Sequence, residues 1–165
     1  MKFTKKTDYA LRAMQNLARR HYRAAEEGNA AAPVPVPVLA GDSGLSVKFM
    51  SGIVARLSRQ GLVKAMPGPG GGVKLARSPE FITILDIVEA AEGPIRLMEC
   101  VSHPEQCHDA TGCSILNVLH TAQNALVNSL RSTNLKLMVR ARTSPFHELP
   151  EGHYLKPQFG CPVLK

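Results

Sequence analysis

Nowhere does this chain gather the roughly 18 consecutive apolar residues that a membrane-spanning helix needs, so a helical membrane protein is not expected. Met1 to Arg20 sets lysines beside an amphipathic pattern and lacks the unbroken apolar stretch and small-residue cleavage site of a secretory leader, which points to the cytoplasm. Acidic residues are scarce. The 13 Asp and Glu face 20 Lys and Arg, a formal charge of +7 that favours a polyanionic partner, nucleic acid first. Cysteine is scarce too, with four in 165 residues; in a reducing compartment these suit thiolate ligands or redox sensors better than a disulfide framework. Gly68, Gly70, Gly71 and Gly72 are not followed by the Gly-Lys-Ser/Thr of a phosphate-binding loop, and no oxyanion-type motif is visible, so neither a nucleotide cradle nor catalysis is expected.

What is present is a series of helix and turn signals. Thr4 precedes apolar Ala10, Leu11, Met14, Leu17 and Ala18 at the helical period, which predicts a capped first helix with Lys5, Lys6, Arg12, Arg19 and Arg20 on its other face. The alternating Pro33, Pro35 and Pro37 predict a stiff connector from Glu26 to Val38. A short helix around Pro37 to Ala40, a turn over Gly41 to Gly44, and a helix capped by Ser46 that carries Val47, Phe49, Met50, Ile53, Val54 and Leu57 suggest a helix-turn-helix. Leu62 to Met66 and Val73 to Ala76 read as strands about a tight loop at Pro67 to Gly72, a wing. Ile82 to Ala91 reads as a further helix, stopped by Glu92-Gly93-Pro94.

From Ser114, apolar residues recur through Leu137 and predict one helix of more than about six turns, too apolar for one small domain to cover. A second copy of the chain would cover it in a two-fold dimer. Pro145, Pro150, Pro157 and Pro162 predict a poorly ordered tail. The predicted fold class is therefore mainly α with a small β-wing. Residues 1–94 form a winged helix-turn-helix DNA-binding domain, 95–113 a cysteine-rich loop, 114–141 a long dimerisation helix and 142–165 a disordered tail.

Two constellations carry chemistry. Cys100, Cys107 and Cys113 lie within fourteen residues, and thiolates gathered so tightly usually hold a metal. A closed site needs four ligands. Cys161 lies far away in the tail, so the fourth is open, with His103 and His108 in the loop itself. In the helix-turn-helix, Ser46, Lys48, Ser51 and Arg56 lie at the start and exposed side of the second helix, within reach of phosphates and base edges, and Arg59 and Lys64 would add backbone contacts. Such residues more commonly make a solvated polar face; the adjoining wing and the net charge favour DNA.

Four stretches together resemble the bacterial iron-sulfur winged-helix repressors of the IscR, NsrR and RirA type. They are MKFTKKTDYALRAM, LSVKFMSGIVARLSRQGLVKAMPGPGGGVKLAR, ITILDIVEAAEGPI and the three-cysteine segment leading into a long helix, and they cover roughly Met1 to Arg140. The resemblance implies a homodimer on a pseudo-palindromic operator in double-stranded DNA. It also implies that Cys100, Cys107 and Cys113 hold an iron-sulfur cluster that senses nitric oxide, iron or cluster supply, or redox state. The histidine that serves as fourth ligand in the IscR type, three residues past the last cysteine, is replaced by Leu116. Asp8 matches the acidic residue of the NsrR type, where the partner subunit's first helix supplies a carboxylate to a 4Fe-4S cluster. The nitric-oxide-sensing type is thus nearest, and 4Fe-4S is favoured over 2Fe-2S. Pro67 stands where relatives usually carry a basic residue, Val73 where an aromatic is common, and the Glu26 to Pro37 segment is longer than usual.

The leading expectation is a homodimeric transcriptional repressor that is not an enzyme. Its rivals are a regulator with a structural zinc held by the same thiolates and His103 or His108, and an enzyme with a cysteine nucleophile beside His103, His108 or His120. Asp8 also has a plainer reading, an acidic residue placed favourably at the positive end of the first helix.

Overall fold

Thr4 caps the first helix as its sequence position predicts. Its hydroxyl accepts from the Lys6 amide at 3.2 Å, and α1 runs Lys5–Glu26, burying Ala10, Ala13, Met14, Leu17 and Ala18 along one stripe. The structure, a computed structural model, describes residues 3–103 and 113–140. Helix α2 (Val36–Asp42) and α3 (Val47–Arg59) meet at 110°, within the range of a helix-turn-helix. Gly44 sits at φ 65° in the turn, and the Leu45 amide donates back to the Ala40 carbonyl at 2.9 Å. Ser46 caps α3 by accepting from the Phe49 amide, and Met50, Ile53, Val54 and Leu57 face the core.

Strands β1 (Val63–Met66) and β2 (Gly72–Leu75) pair antiparallel, with Lys64 opposite Lys74. The connector read as merely stiff takes part in this sheet. Val34 and Val73 exchange both backbone hydrogen bonds at 2.8 Å, and Val34 is buried beside β2. That pairing explains Gly72. Its φ of 155° lies outside what L side chains favour, and a Cβ there would sit 2.4 Å from the Val34 carbonyl oxygen. Gly72→Ala is expected to cost roughly 1–3 kcal/mol, seen as a lowered denaturation midpoint. A midpoint equal to the parent's would mean the connector does not pack on the wing.

After a 3-10 turn at Pro79–Phe81, helix α4 (Ile84–Glu92) opens with a full capping box between Thr83 and Asp86. Short α5 (Glu99–Ser102) packs against α6 (Ser114–Ser132). The expectation of one helix from Ser114 through Leu137 is corrected: α6 ends at Ser132, and α7 (Leu135–Arg140) is a separate helix. The side chains of Ser132 and Thr133 bond back to the Ser129 carbonyl, and Asn134 accepts from the Leu137 amide to start α7. Between the helices, the Thr133 carbonyl accepts from Ile84 and the Leu135 amide donates to Ile82, at 2.8 and 2.9 Å.

Leu135 is fully buried in the main core, and Met138 and Val139 pack against that core. Burying a leucine contributes about 1.5–3 kcal/mol, enough to outweigh continuation of a straight helix. The boundary expected at residue 94 therefore does not confine the DNA-binding unit, because α7 returns to it beside α1. The second half of α6 rests on the unit, through Leu126, Val127 and Leu130 against Leu85, Val88 and Ile95. Its first half leaves Ile115 and Val118 at 65% and 68% exposure. The expected tail from residue 142 lies outside the described residues.

Candidate nucleic-acid interface and thiolate site

The exposed side of α3 presents Lys48, Ser51, Gly52, Ala55, Arg56 and Arg59. Ser46 precedes them, its hydroxyl oxygen engaged by the Phe49 amide and its proton left to donate. A groove of about 390 Å³ brings Ser46, Lys48 and Arg56 together and adds Lys6 from α1. Lys6 was assigned by sequence to the outer face of its own helix. Its position near α3 depends on how the two helices meet, held in part by the edge-to-face contact of Tyr9 and Phe49 at 5.8 Å. Ser51, Arg59 and Lys64 lie outside that groove. Arg56 donates to the Ala91 carbonyl at 3.5 Å, so it also ties α3 to α4. Small Gly52 and Ala55 on the same face allow close backbone approach to a ligand surface.

On β1, Lys64 is exposed and faces Lys74 across the ladder. Like charges placed directly opposite are unfavourable without an anion nearby.

Glu92, the last residue of α4, holds the start of α1. One carboxylate oxygen accepts from the Thr4 amide at 3.0 Å, from the Thr7 hydroxyl at 2.6 Å and from the Thr4 hydroxyl. The Thr4 hydroxyl above all, with that of Thr7, holds its carboxyl below the usual value of 4.5. Glu80 is lowered to about 2, chiefly by the Ser78 hydroxyl and its own backbone, with Lys136 on α7 adding to this. Both carboxylates contribute stability that is present above the ordinary value and lost as pH falls through the lowered one. The thermal midpoint of Glu92→Gln is therefore expected to lie below the parent's at neutral pH and to converge with it in acid below 4.5. A gap that stays constant with pH would contradict this clasp.

The cysteine loop leaves α4 directly through Gly93, and its first part is moored to α6 by the Leu97 amide on Gln123 at 3.0 Å. Cys100 sits in α5 and Cys113 at the start of α6; both are free thiols and half-buried. The packing of α5 on α6 thus carries two of the three predicted thiolates. Cys107 and His108 lie outside the described residues. His103 closes α5, and no three Cys, His, Asp or Glu among the described residues form a metal-binding group. Asp8, in the first turn of α1, pairs with Arg12 of its own helix at 2.9 Å, and both side chains are more than half exposed. The donor chemistry suits a thiolate-bound cluster: two free cysteines, of which Cys113 stands at the positive end of the 19-residue α6.

The sequence profile of Rrf2, described as an iron-dependent transcriptional regulator, matches residues 3–141. The chain belongs to the Rrf2 family. Among Rrf2-type relatives, it is 31% identical over 113 residues to the transcriptional regulator IscR of Aliivibrio salmonicida, covering 68% of this chain and 62% of that one. It is 28% identical over 137 residues to NsrR of Halalkalibacterium halodurans, covering 82% and 88%. The solved structure of CymR, the global cysteine regulator of Bacillus subtilis, superposes with a TM-score of 0.62 at 26% identity, covering 87% of this chain and 99% of that one. The predicted mainly helical fold with a small β-wing is the Rrf2 winged-helix fold. This Rrf2 chain is a DNA-binding transcriptional regulator, and its relatives are regulators rather than enzymes. No single helix among the described residues is long and apolar enough to cross a membrane.

Proposed function

We propose that this chain is a homodimeric repressor in the cytoplasm whose operator affinity depends on an iron-sulfur cluster, 4Fe-4S in the favoured form, held by Cys100, Cys107 and Cys113. The observation that carries this reading is the placement of Cys100 and Cys113, free and half-buried, where α5 meets α6. Ligation at these thiolates would fix α5 and the intervening loop against α6, and the loop joins α6 to α4. From α4, Glu92 reaches α1 and Arg56 reaches back from α3, so a change in the loop has a bonded route to the DNA-facing groove. A bound cluster supplies an iron that small oxidants or nitric oxide can attack.

The exposed apolar start of α6, Ile115 and Val118, would be covered by a second copy of the chain. Two winged helices so paired meet successive major grooves of a pseudo-palindromic operator. Ser46, Lys48, Ser51, Arg56, Arg59 and Lys64 would then contact DNA, with Lys6 beside them. Asp8 would serve the partner's cluster as a carboxylate ligand, leaving its helix pairing with Arg12. The similarity to NsrR and the TDYALRA stretch support nitric oxide as the signal.

The test is complementation between subunits. Asp8→Ala is expected to retain iron but to change the visible spectrum and the rate of reaction with nitric oxide. Mixed dimers of an Asp8→Ala chain with a chain lacking the loop cysteines should restore one parental site per dimer. If Asp8→Ala reacts as the parent does, Asp8 is only a charge on the first turn of α1. The likeness to CymR, described as a cysteine regulator, favours a second reading, a regulator that senses without a cluster. Colourless anaerobic protein would select that reading or a zinc site, which a metal count separates.

A further inference from the structure

A second cavity lies away from the DNA-facing groove and the cysteine loop. It measures about 250 Å³ and is bounded by the second half of α1, the alanine-rich start of the connector and strand β2. Its apolar lining comes from Leu17, Val34 and Leu75 and from the small Ala25, Ala30, Ala31 and Ala32. Its polar groups are the Arg20 guanidinium, the His21 imidazole, the Lys74 ammonium and Asn29, with no carboxylate among the lining residues. Arg20 is aimed rather than loose: Nε donates to Asn16 at 2.8 Å and Nη2 to Asp42 at 3.2 Å, while Nη1 takes part in neither bond. Lys74 is half-buried on β2, directly opposite Lys64, and among the described residues no carboxylate lies across the ladder from it or lines the cavity.

We infer that this cavity binds a small organic carboxylate with a short aliphatic body. The two cations and the imidazole supply donors for the carboxylate, and the alanines leave room that larger side chains would fill. The volume is below that of drug-sized sites, which limits the ligand to a few carbons beyond the acid. Part of the wall is built by the connector, which gives that segment a role beyond spanning. Val34 lines the cavity and pairs with Val73 next to Lys74, so occupancy would brace the base of the wing.

The experiment titrates the full chain with butyrate, isovalerate and their 2-oxo acids, with butyramide and inorganic phosphate as controls, followed by backbone amide NMR and thermal melting. At least one carboxylate is expected to shift the Val34 and Val73 amides saturably with a Kd on the order of 1 mM or tighter and to raise the melting temperature. Lys74→Gln should weaken it by about tenfold or more, and Ala31→Leu should abolish it by filling the cavity. Saturation by no carboxylate, an equal response to butyramide, or a response to phosphate alone would overturn the assignment. So would unchanged binding in folded Lys74→Gln and Ala31→Leu proteins.

Discussion

Replacing Cys100, Cys107 or Cys113 by alanine is expected to strip most of the iron from anaerobically isolated protein, whereas Cys161→Ala keeps it. In the proposed cluster each of the three thiolates would hold its own iron, and losing one would open the cluster to solvent and dissociation. Cys100 and Cys113 sit on packed helices, so their loss is not expected to unfold the chain: neither belongs to the buried core. Circular dichroism should confirm that the variants remain helical while the visible absorption bleaches. Equal iron loss in all four variants would bring the tail into the site and break the proposed ligand set. Full iron retention in Cys100→Ala would remove α5 from it.

The second large effect concerns DNA. Operator affinity is expected to fall steeply with salt, because lysines and arginines around α3 displace counterions from the phosphate backbone. Lys48→Ala and Lys6→Ala should each weaken binding by about tenfold and reduce the slope of log affinity against log salt by about 1. Lys6 is the more informative of the two, since only the meeting of α1 and α3 brings it to the groove. Arg56→Ala should lower thermal stability as well as affinity, because its guanidinium also holds the end of α4. Affinity independent of salt would exclude a phosphate-contacting surface.

Much of this fold is legible in the sequence because its signals are local. Thr4 and Ser46 each precede an apolar helical pattern, and each caps the helix that follows, whereas α4 starts at Ile84 behind the cap Thr83, inside the stretch read as helical from Ile82. The wing follows from two short strands flanking a Gly-Pro loop. The break after Ser132 was hidden because apolar spacing continues through Leu135 and Leu137, although Ser132-Thr133-Asn134 carries the side chains that end one helix and start another. Val34 was hidden for a different reason: alternating prolines describe a stiff connector, and its pairing with Val73 is made across the chain. At the candidate interface, Ser46, Lys48 and Arg56 were readable from helix position, but the neighbourhood of Lys6 and the dual engagement of Arg56 depend on tertiary packing. Among the cysteines, spacing alone announces the cluster of three. The described residues do not bring Asp8 to them within one chain, so its proposed role rests on the partner subunit.

The most direct measurement is a pair of anaerobic titrations of one fluorescent operator duplex, at one salt concentration, with the iron-loaded protein and with the same protein after chelation of its iron. The two affinities are expected to differ by about tenfold or more, within the usual range of coupling between two sites. Superimposable curves from protein shown to carry, and then to lack, an iron-sulfur cluster would contradict the coupling of cluster to operator.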